Sequence, residues 1–187
     1  MAEEKVAIRL TVLEIDLKKI EQNIVQYKKK LKNVSFMAVV KANTYGHGVI
    51  EISKLAIING AQYLGVATIE EGIQIRKSGI DIPILILSAI LPEQFQICSQ
   101  YVLNITISSN QFFKKLCELL DENVLDIHVN IDTGMHTLEL IQMKFIHLLK
   151  DSIHKKVIIH CANSAASINL PESYFDMVRI GLGIYGY

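Results

Sequence analysis

Short apolar runs with β character alternate with helical stretches along the chain, and this alternation limits the possible folds. Strands are predicted at residues 34–40, 61–67, 82–87, 103–107, 124–131, 157–160 and 176–179. Helices are predicted at residues 17–31, 49–59, 69–77, 138–149 and from the N-cap Ser109 or Asn110 to Leu120. A βα repeat of roughly 20–25 residues predicts an α/β protein with a parallel sheet and crossover helices.

Two architectures satisfy this alternation: an open doubly wound sheet and a (β/α)8 barrel. From residue 34 onward about seven strands can be counted, whereas a barrel needs eight. The chain has 187 residues, and a barrel typically has about 250. Strand count and length by themselves leave both architectures open.

Composition predicts one globular domain and argues against some partners. Half of the residues are hydrophobic, and 19 basic residues balance 19 acidic ones, so the formal net charge is zero. Such a balance does not favour nucleic-acid or membrane-surface binding. The longest apolar stretch, residues 82–91, is too short to span a bilayer, which takes about 20 residues. We therefore expect neither a nucleic-acid nor a membrane partner.

Cysteine usage and the N-terminus point to a cytoplasmic protein. Cys98, Cys117 and Cys161 show no CxxC spacing, which fits reduced thiols better than a disulfide framework or a zinc site. The first five residues include two glutamates and no apolar segment, unlike a secretory signal. No metal site is predicted.

A lysine stands at the end of the first predicted strand, where a polar loop with two glycines begins. Residues 36–40 are apolar, and Lys41 opens the loop 41–48. A lysine in a partly desolvated site is a nucleophile that can form a Schiff base with a carbonyl compound. Alternatively, its stem packs while its ammonium reaches solvent. Strand position favours neither interpretation.

Other polar residues and glycines follow later strands, at the sheet edge where α/β proteins bind ligands. They are the loop 132–135, the segment from His160 to Ser167, and the segment from Arg179 to Gly183. Small residues at such turns offer backbone N–H groups to a phosphate, although ordinary turn chemistry also explains them. Arg179 could form a salt bridge or contact a cofactor, and His160 could be a core histidine or orient Arg179. A reactive lysine beside a phosphate site is the pattern expected for pyridoxal phosphate.

Taken together, these segments resemble a known family. Residues 38–48 closely resemble the pyridoxal-phosphate attachment signature of the alanine racemases, and residues 131–135, 160–166 and 175–181 match further motifs in the same order. The opening residues 12–17 with Asn23 also resemble the family's start. The resemblance implies that residues 1–187 form the N-terminal domain, a TIM-type (β/α)8 barrel.

The resemblance also implies a function and a role for each matching residue. Lys41 would hold pyridoxal 5'-phosphate and act as the base that exchanges the α-proton on the D-alanine side. Arg179 would face the pyridine nitrogen with support from His160. The phosphate would be held by a set of residues at three loops: Tyr45, Asn163, Ser164, Gly181 and Leu182. The implied reaction interconverts L-alanine and D-alanine for peptidoglycan in the cytoplasm, and the implied assembly is compatible with a homodimer.

The chain also departs from the family pattern. Thr137 stands where the family has an arginine that binds substrate and cofactor. After Met135, one βα unit of about 30–40 residues is missing, so an incomplete barrel of about seven strands is expected. The family's C-terminal β-domain, which supplies the second catalytic base, a tyrosine, is not expected in residues 1–187. The departures leave two alternatives to a racemase, namely a non-catalytic pyridoxal-phosphate-binding barrel and an inactive remnant, and they do not decide between alanine and serine.

Overall fold

The computed structural model describes residues 11–107, 109, 111–112, 114–115, 127–129, 158 and 160–187. Its strands are β1 (Ser35–Val39), β2 (Tyr63–Val66), β3 (Ile84–Ile86), β4 (Leu103–Ile107), β5 (Ile127–Val129) and β6 (Met177–Ile180). Its helices are α1 (Leu17–Leu31), α2 (Val49–Ile58), α3 (Ile69–Lys77), α4 (Phe95–Gln100) and α5 (Ala166–Asn169). Short 3₁₀ turns occupy Pro92–Gln94, Pro171–Ser173 and Leu182–Tyr185. A further short segment, Lys41–Tyr45, has an unusual backbone that is described with the site.

The six described strands form one parallel sheet in the order β5-β4-β3-β2-β1-β6. Each strand from β1 to β5 adds on the same side of its predecessor, and β6 then pairs with the opposite edge, next to β1. A doubly wound sheet reverses direction at its first strand, whereas a barrel places its last strand beside its first. The topology is therefore that of a barrel, and within the described residues the sheet is not closed.

Both faces of the sheet are buried, which explains why apolar residues predominate in its strands, with Asn104 and Thr106 of β4 as buried polar exceptions. One face packs on the helices through alternate residues such as Phe36, Leu64 and Ile105, all fully buried or nearly so. The other face forms a second cluster around Met37, Leu85 and Met177. The second cluster lies on the inner face of the curved sheet, where barrel side chains stack in layers.

Helix α1 begins at Leu17 because Asp16 caps it. The Asp16 carboxylate accepts hydrogen bonds from two free N–H groups of the first turn, those of Lys18 and Lys19. Ile20, Ile24, Tyr27 and Leu31 then recur at helical spacing and are buried. The predicted bounds of this helix, 17–31, are confirmed.

Most of the other predicted elements are also confirmed, with the strands usually shorter than predicted. Strand β4 matches its predicted bounds, and Ser109 accepts a hydrogen bond from the Phe112 N–H, as an N-cap does. The predicted strand 157–160 differs, since residues 158 and 160 are described and neither lies in a strand. Here the His160 carbonyl accepts from an arginine side chain instead of a neighbouring strand. The loop 132–135 and the helix 138–149 lie outside the described residues.

A search of the described residues for a helix long and apolar enough to cross a membrane found none.

Arg76, near the end of α3, ties two loops together at the amino end of the sheet. Its guanidinium donates to the carbonyls of Ile80 and Ile82 ahead of β3, at 2.7 Å each. It also donates to the carbonyls of Tyr101 and Val102 ahead of β4, at 3.1 and 2.9 Å. Burial lowers the pKa of Arg76, but a guanidinium remains charged in proteins.

We predict that Arg76→Met destabilises the fold by about 1–3 kcal/mol, because four carbonyls lose their charged donor. The matched control is Lys77→Met, since Lys77 is exposed and next in sequence. Urea denaturation followed by circular dichroism measures both variants. Equal unfolding midpoints for the two variants would show that Arg76 does not tie these loops together.

Candidate active site at the carboxyl end of the sheet

The segment that follows β1 is a left-handed turn. Ala42, Asn43, Thr44 and Tyr45 have φ angles of 53°, 50°, 55° and 56°. For residues other than glycine this conformation costs roughly 1–2 kcal/mol each, because Cβ approaches the following carbonyl oxygen. Four such residues in succession need compensating contacts. Strained backbone of this kind is concentrated at functional sites.

Hydrogen bonds from three parts of the chain hold the turn. The Thr44 N–H donates to the Val40 carbonyl at 3.0 Å, which closes the turn on the end of β1. The Asn43 side chain accepts from the Val49 N–H at 2.9 Å, at the start of α2. The Ala42 N–H donates to a carboxylate oxygen of Glu71 at 2.6 Å. Lys41, half-buried, is therefore attached to a well-supported piece of backbone.

A cluster of hydrogen-bond donors lies beyond the end of β6, the neighbour of β1. The Ser164 hydroxyl oxygen accepts from the N–H groups of Gly181 at 2.9 Å and of Gly183 at 3.4 Å. Two N–H groups that converge on one oxygen form the kind of concavity that binds a phosphate oxygen. Leu182, between the two glycines, begins the 3₁₀ turn and is exposed.

Both glycines are close to neighbouring side chains. A Cβ at Gly181 would lie 3.4 Å from the Tyr45 hydroxyl and 3.4 Å from Val39 Cβ. A Cβ at Gly183 would collide with the phenol of Tyr27 on α1. A larger residue at position 181 would therefore enter the space beside Tyr45, and one at position 183 would displace Tyr27.

Asn163 has a local structural role. Its side-chain oxygen accepts from the Ala166 N–H at 3.0 Å, and its carbonyl accepts from the Ser167 N–H at 2.8 Å. These bonds build the short helix α5 and present Ser164 at its start. The turn-chemistry explanation therefore accounts for these contacts of Asn163.

Three aromatic rings join the left-handed turn to the 3₁₀ turn after β6. The Tyr185 ring lies 5.3 Å from that of Tyr45 and stacks on that of His47 at 4.8 Å. The Tyr185 hydroxyl donates to the Val39 carbonyl at 3.1 Å. Burial raises the pKa of Tyr185 and, to a smaller extent, that of Tyr45. Both phenols are therefore neutral hydrogen-bonding groups at ordinary pH.

A chain of hydrogen bonds runs from Arg179 through His160 to His128 on β5. Arg179 Nη1 donates to His160 Nδ1 and to the His160 carbonyl, at 2.7 Å each, and Nη2 donates to the Cys161 carbonyl at 3.3 Å. His160 Nε2 lies 2.9 Å from His128 Nδ1. Within the described residues no carboxylate lies at ion-pair distance from Arg179, so the salt-bridge alternative finds no support there.

Arg179 determines which ring nitrogen of His160 carries a proton. A guanidinium only donates, so His160 Nδ1 must accept, and His160 Nε2 then carries the proton that it donates to His128. Burial, the Arg179 charge and His128 together lower the pKa of His160 from 6.5 to about 3. His160 is consequently a neutral support for a cation, as its predicted role beside Arg179 requires.

The structure thus brings most of the predicted residues together and adds others. Lys41, Tyr45, Ser164, Arg179 and Gly181 lie at the carboxyl ends of the adjoining strands β1 and β6 or in their loops. Three contributors were not predicted: Glu71, His128 and Tyr185. The Thr68-x-x-Glu71 spacing does signal a capping box, but its reach to Ala42 depends on tertiary structure. Among the described residues, no cluster of three metal-binding side chains occurs.

We predict that part of the acid sensitivity of the fold comes from His160. The folded protein keeps this imidazole neutral down to a pH of about 3, whereas the unfolded chain takes up a proton below about 6.5. Stability is therefore lost as the pH falls from 6.5 towards 3. His160→Gln removes this contribution, so the stability difference between wild type and variant should shrink over that range. A difference measured by urea denaturation that stays constant from pH 7 to pH 4 would contradict the assignment.

Sequence comparison identifies one family along the chain. The family model "Alanine racemase, N-terminal domain" matches residues 15–140 and 137–187. The two matched segments meet just after Met135, where the sequence predicts the shortened interval. Alanine racemase 1 of Bacillus subtilis (strain 168) is 33% identical over 220 residues, which cover 95% of this chain and 57% of the relative. Because this alignment is longer than the 187-residue chain, the relative contains residues within it that this chain lacks.

Other relatives and solved structures agree. The alanine racemase of Nostoc sp. (strain PCC 7120) is 34% identical, with 93% of this chain and 58% of the relative covered. The structure of alanine racemase from Clostridium difficile 630 superposes with a TM-score of 0.83 at 26% identity, covering 96% of this chain and 60% of that one. The alanine racemase of E. faecalis shares the fold with a TM-score of 0.83.

These matches confirm the barrel fold, although the chain spans less than three-fifths of the length of the relatives named. The residues that match the family model also form a parallel sheet with its last strand beside its first. Lys41 follows the first strand, and Arg179 lies near the end of the last. The chain belongs to the alanine racemase N-terminal domain family.

Proposed function

We propose that this chain is the pyridoxal-phosphate-binding domain of an alanine racemase, an isomerase that interconverts L-alanine and D-alanine. The observation that carries the proposal is the pairing of β1 with β6. It puts the turn that begins at Lys41 beside a donor cluster made by Ser164, Gly181 and Gly183. An amine for the aldehyde and a concavity for the phosphate are the two groups that this cofactor needs.

The residues present fit pyridoxal phosphate. The phosphate end would be held by two backbone N–H groups and two hydroxyls, from Gly181, Gly183, Ser164 and Tyr45. Gly181 puts no side chain beside the Tyr45 hydroxyl, from which a Cβ would lie 3.4 Å. The pyridine end would face Arg179, whose guanidinium has no carboxylate partner in the described part of the chain.

When bound, pyridoxal phosphate withdraws electrons from the α-carbon of an amino acid and makes its α-proton removable. Lys41 would hold the cofactor and would exchange the proton on one face of that carbon. Arg179 cannot give up its own proton at working pH, so an acceptor that faces it stays unprotonated. That arrangement favours return of the proton to the α-carbon over transamination.

Racemisation needs proton exchange on both faces of the α-carbon, and Lys41 serves one of them. The family's second base is a tyrosine of its C-terminal domain, a region of the relatives to which residues 1–187 do not correspond. Thr137 also replaces an arginine of the family pattern. This chain on its own is therefore expected to bind the cofactor and to racemise slowly.

The proposal extends to the biological setting by the same resemblance. The substrate is alanine, the product D-alanine serves peptidoglycan, the enzyme works in the cytoplasm, and its assembly is a homodimer.

Thr137 and the shortened interval after Met135 favour a second candidate function, a pyridoxal-phosphate-binding barrel without catalysis.

Titration with pyridoxal phosphate tests the central part of the proposal. The wild-type chain should develop the visible absorbance band of a cofactor bound covalently to lysine. Lys41→Ala should abolish that band, and Lys54→Ala should keep it, because Lys54 is an exposed residue of α2. A band that survives in Lys41→Ala, or a wild-type chain without a band, would refute the proposal.

A D-alanine assay on the loaded chain then separates the two functions. Slow turnover that requires Lys41 supports a racemase domain in which Lys41 serves one face of the α-carbon. Binding without any turnover supports the non-catalytic barrel. Turnover at the rate of a complete racemase would contradict the expectation that the second base limits this chain.

A further inference from the structure

We infer that Glu71 is a positioning residue for Lys41. The inference rests on the proposed function and deepens it, because it names the group that fixes the lysine turn. Glu71 is the third residue of α3, which follows β2, and it is half-buried. Neither the sequence motifs nor the family resemblance assigned it a role at the site.

One carboxylate oxygen of Glu71 completes the cap of α3. Oε2 accepts from the Ala67 N–H at 2.7 Å and, more weakly, from the Thr68 N–H at 3.4 Å. The Thr68 hydroxyl in turn accepts from the Glu71 N–H at 3.3 Å. This is a capping box, which needs a single acceptor oxygen from its third residue.

The other oxygen leaves the helix and reaches the lysine turn. Oε1 accepts from the Ala42 N–H at 2.6 Å, a short bond of the kind that charged acceptors form. Ala42 directly follows Lys41 and is the first residue of the left-handed run. A capping role does not explain this second bond.

The position of Glu71 continues the pairing of β1 with β2 beyond the sheet. The last backbone bond between the two strands joins the Val40 N–H to the Gly65 carbonyl at 2.8 Å. Two residues further along each strand, the N–H groups of Ala42 and Ala67 both donate to the Glu71 carboxylate. The carboxylate thus bridges two donors that cannot bond to each other.

This bridge matters for the lysine because the turn is intrinsically unfavourable. Four residues after Lys41 have positive φ angles, at a cost of roughly 1–2 kcal/mol each. The carboxylate satisfies the first N–H of that run and fixes the backbone from which the Lys41 side chain extends. Without the second oxygen, the turn should populate other conformations and present its lysine less often.

Glu71→Gln separates bridging from capping. Glutamine is accepted in a capping box, so α3 should remain stable. An amide, however, has one acceptor oxygen, and its NH₂ group would face an N–H group. The matched control is Glu70→Gln, the same chemical change at the adjacent exposed residue of α3.

Two readouts test the inference, the first without any cofactor. Amide hydrogen exchange should show protection of Ala42 in wild type and in Glu70→Gln, and about tenfold less protection in Glu71→Gln. Pyridoxal phosphate should bind Glu71→Gln about tenfold more weakly, while the urea midpoint stays near that of Glu70→Gln.

The outcomes are distinguishable. Unchanged Ala42 protection in Glu71→Gln would overturn the inference, and so would lost protection with unchanged cofactor affinity. If wild type itself binds no pyridoxal phosphate, the proposed function fails, while hydrogen exchange still decides whether Glu71 holds the turn. If Glu70→Gln lost as much cofactor affinity as Glu71→Gln, that result would also contradict a specific role for Glu71.

Discussion

The parallel pairing of β1 with β6 is the contact on which the candidate site depends. Met37 lies opposite Arg179 and Ala38 opposite Ile180. The two strands therefore end side by side, although 141 positions separate their last residues, Val39 and Ile180. Each strand end then carries half of the site: the lysine turn after β1 and the donor cluster after β6.

Most of the fold could be predicted from the sequence because hydrophobic periodicity and caps are local signals. Helix α1 has an aspartate cap and four buried residues at helical spacing, and β4 is a short run with Leu103, Ile105 and Ile107 at alternate positions. Strand order could not be obtained in the same way, since both a barrel and an open sheet bury such runs. The family motifs, which record a fold as a whole, resolved that choice.

The sequence predicted which residue types form the site, but it did not predict the backbone geometry that holds them. Lys41, Ser164 and Arg179 follow strands, which local patterns indicate. The left-handed run from Ala42 to Tyr45 contains no glycine, so nothing in its composition predicts positive φ angles. Its stability depends on contacts from other elements, and His128 likewise joins the site only through the fold. The neutral His160 shows how such contacts, and burial above all, adapt a histidine to the support of a cation.

The most direct test of the account is to trap the cofactor chemically and locate it. Reduction of the wild-type chain with borohydride after incubation with pyridoxal phosphate converts a lysine-bound cofactor into a stable adduct. Peptide mass mapping then identifies the modified lysine. We expect one dominant adduct, on Lys41. Equal modification of exposed lysines, such as those at the end of α1, would contradict it.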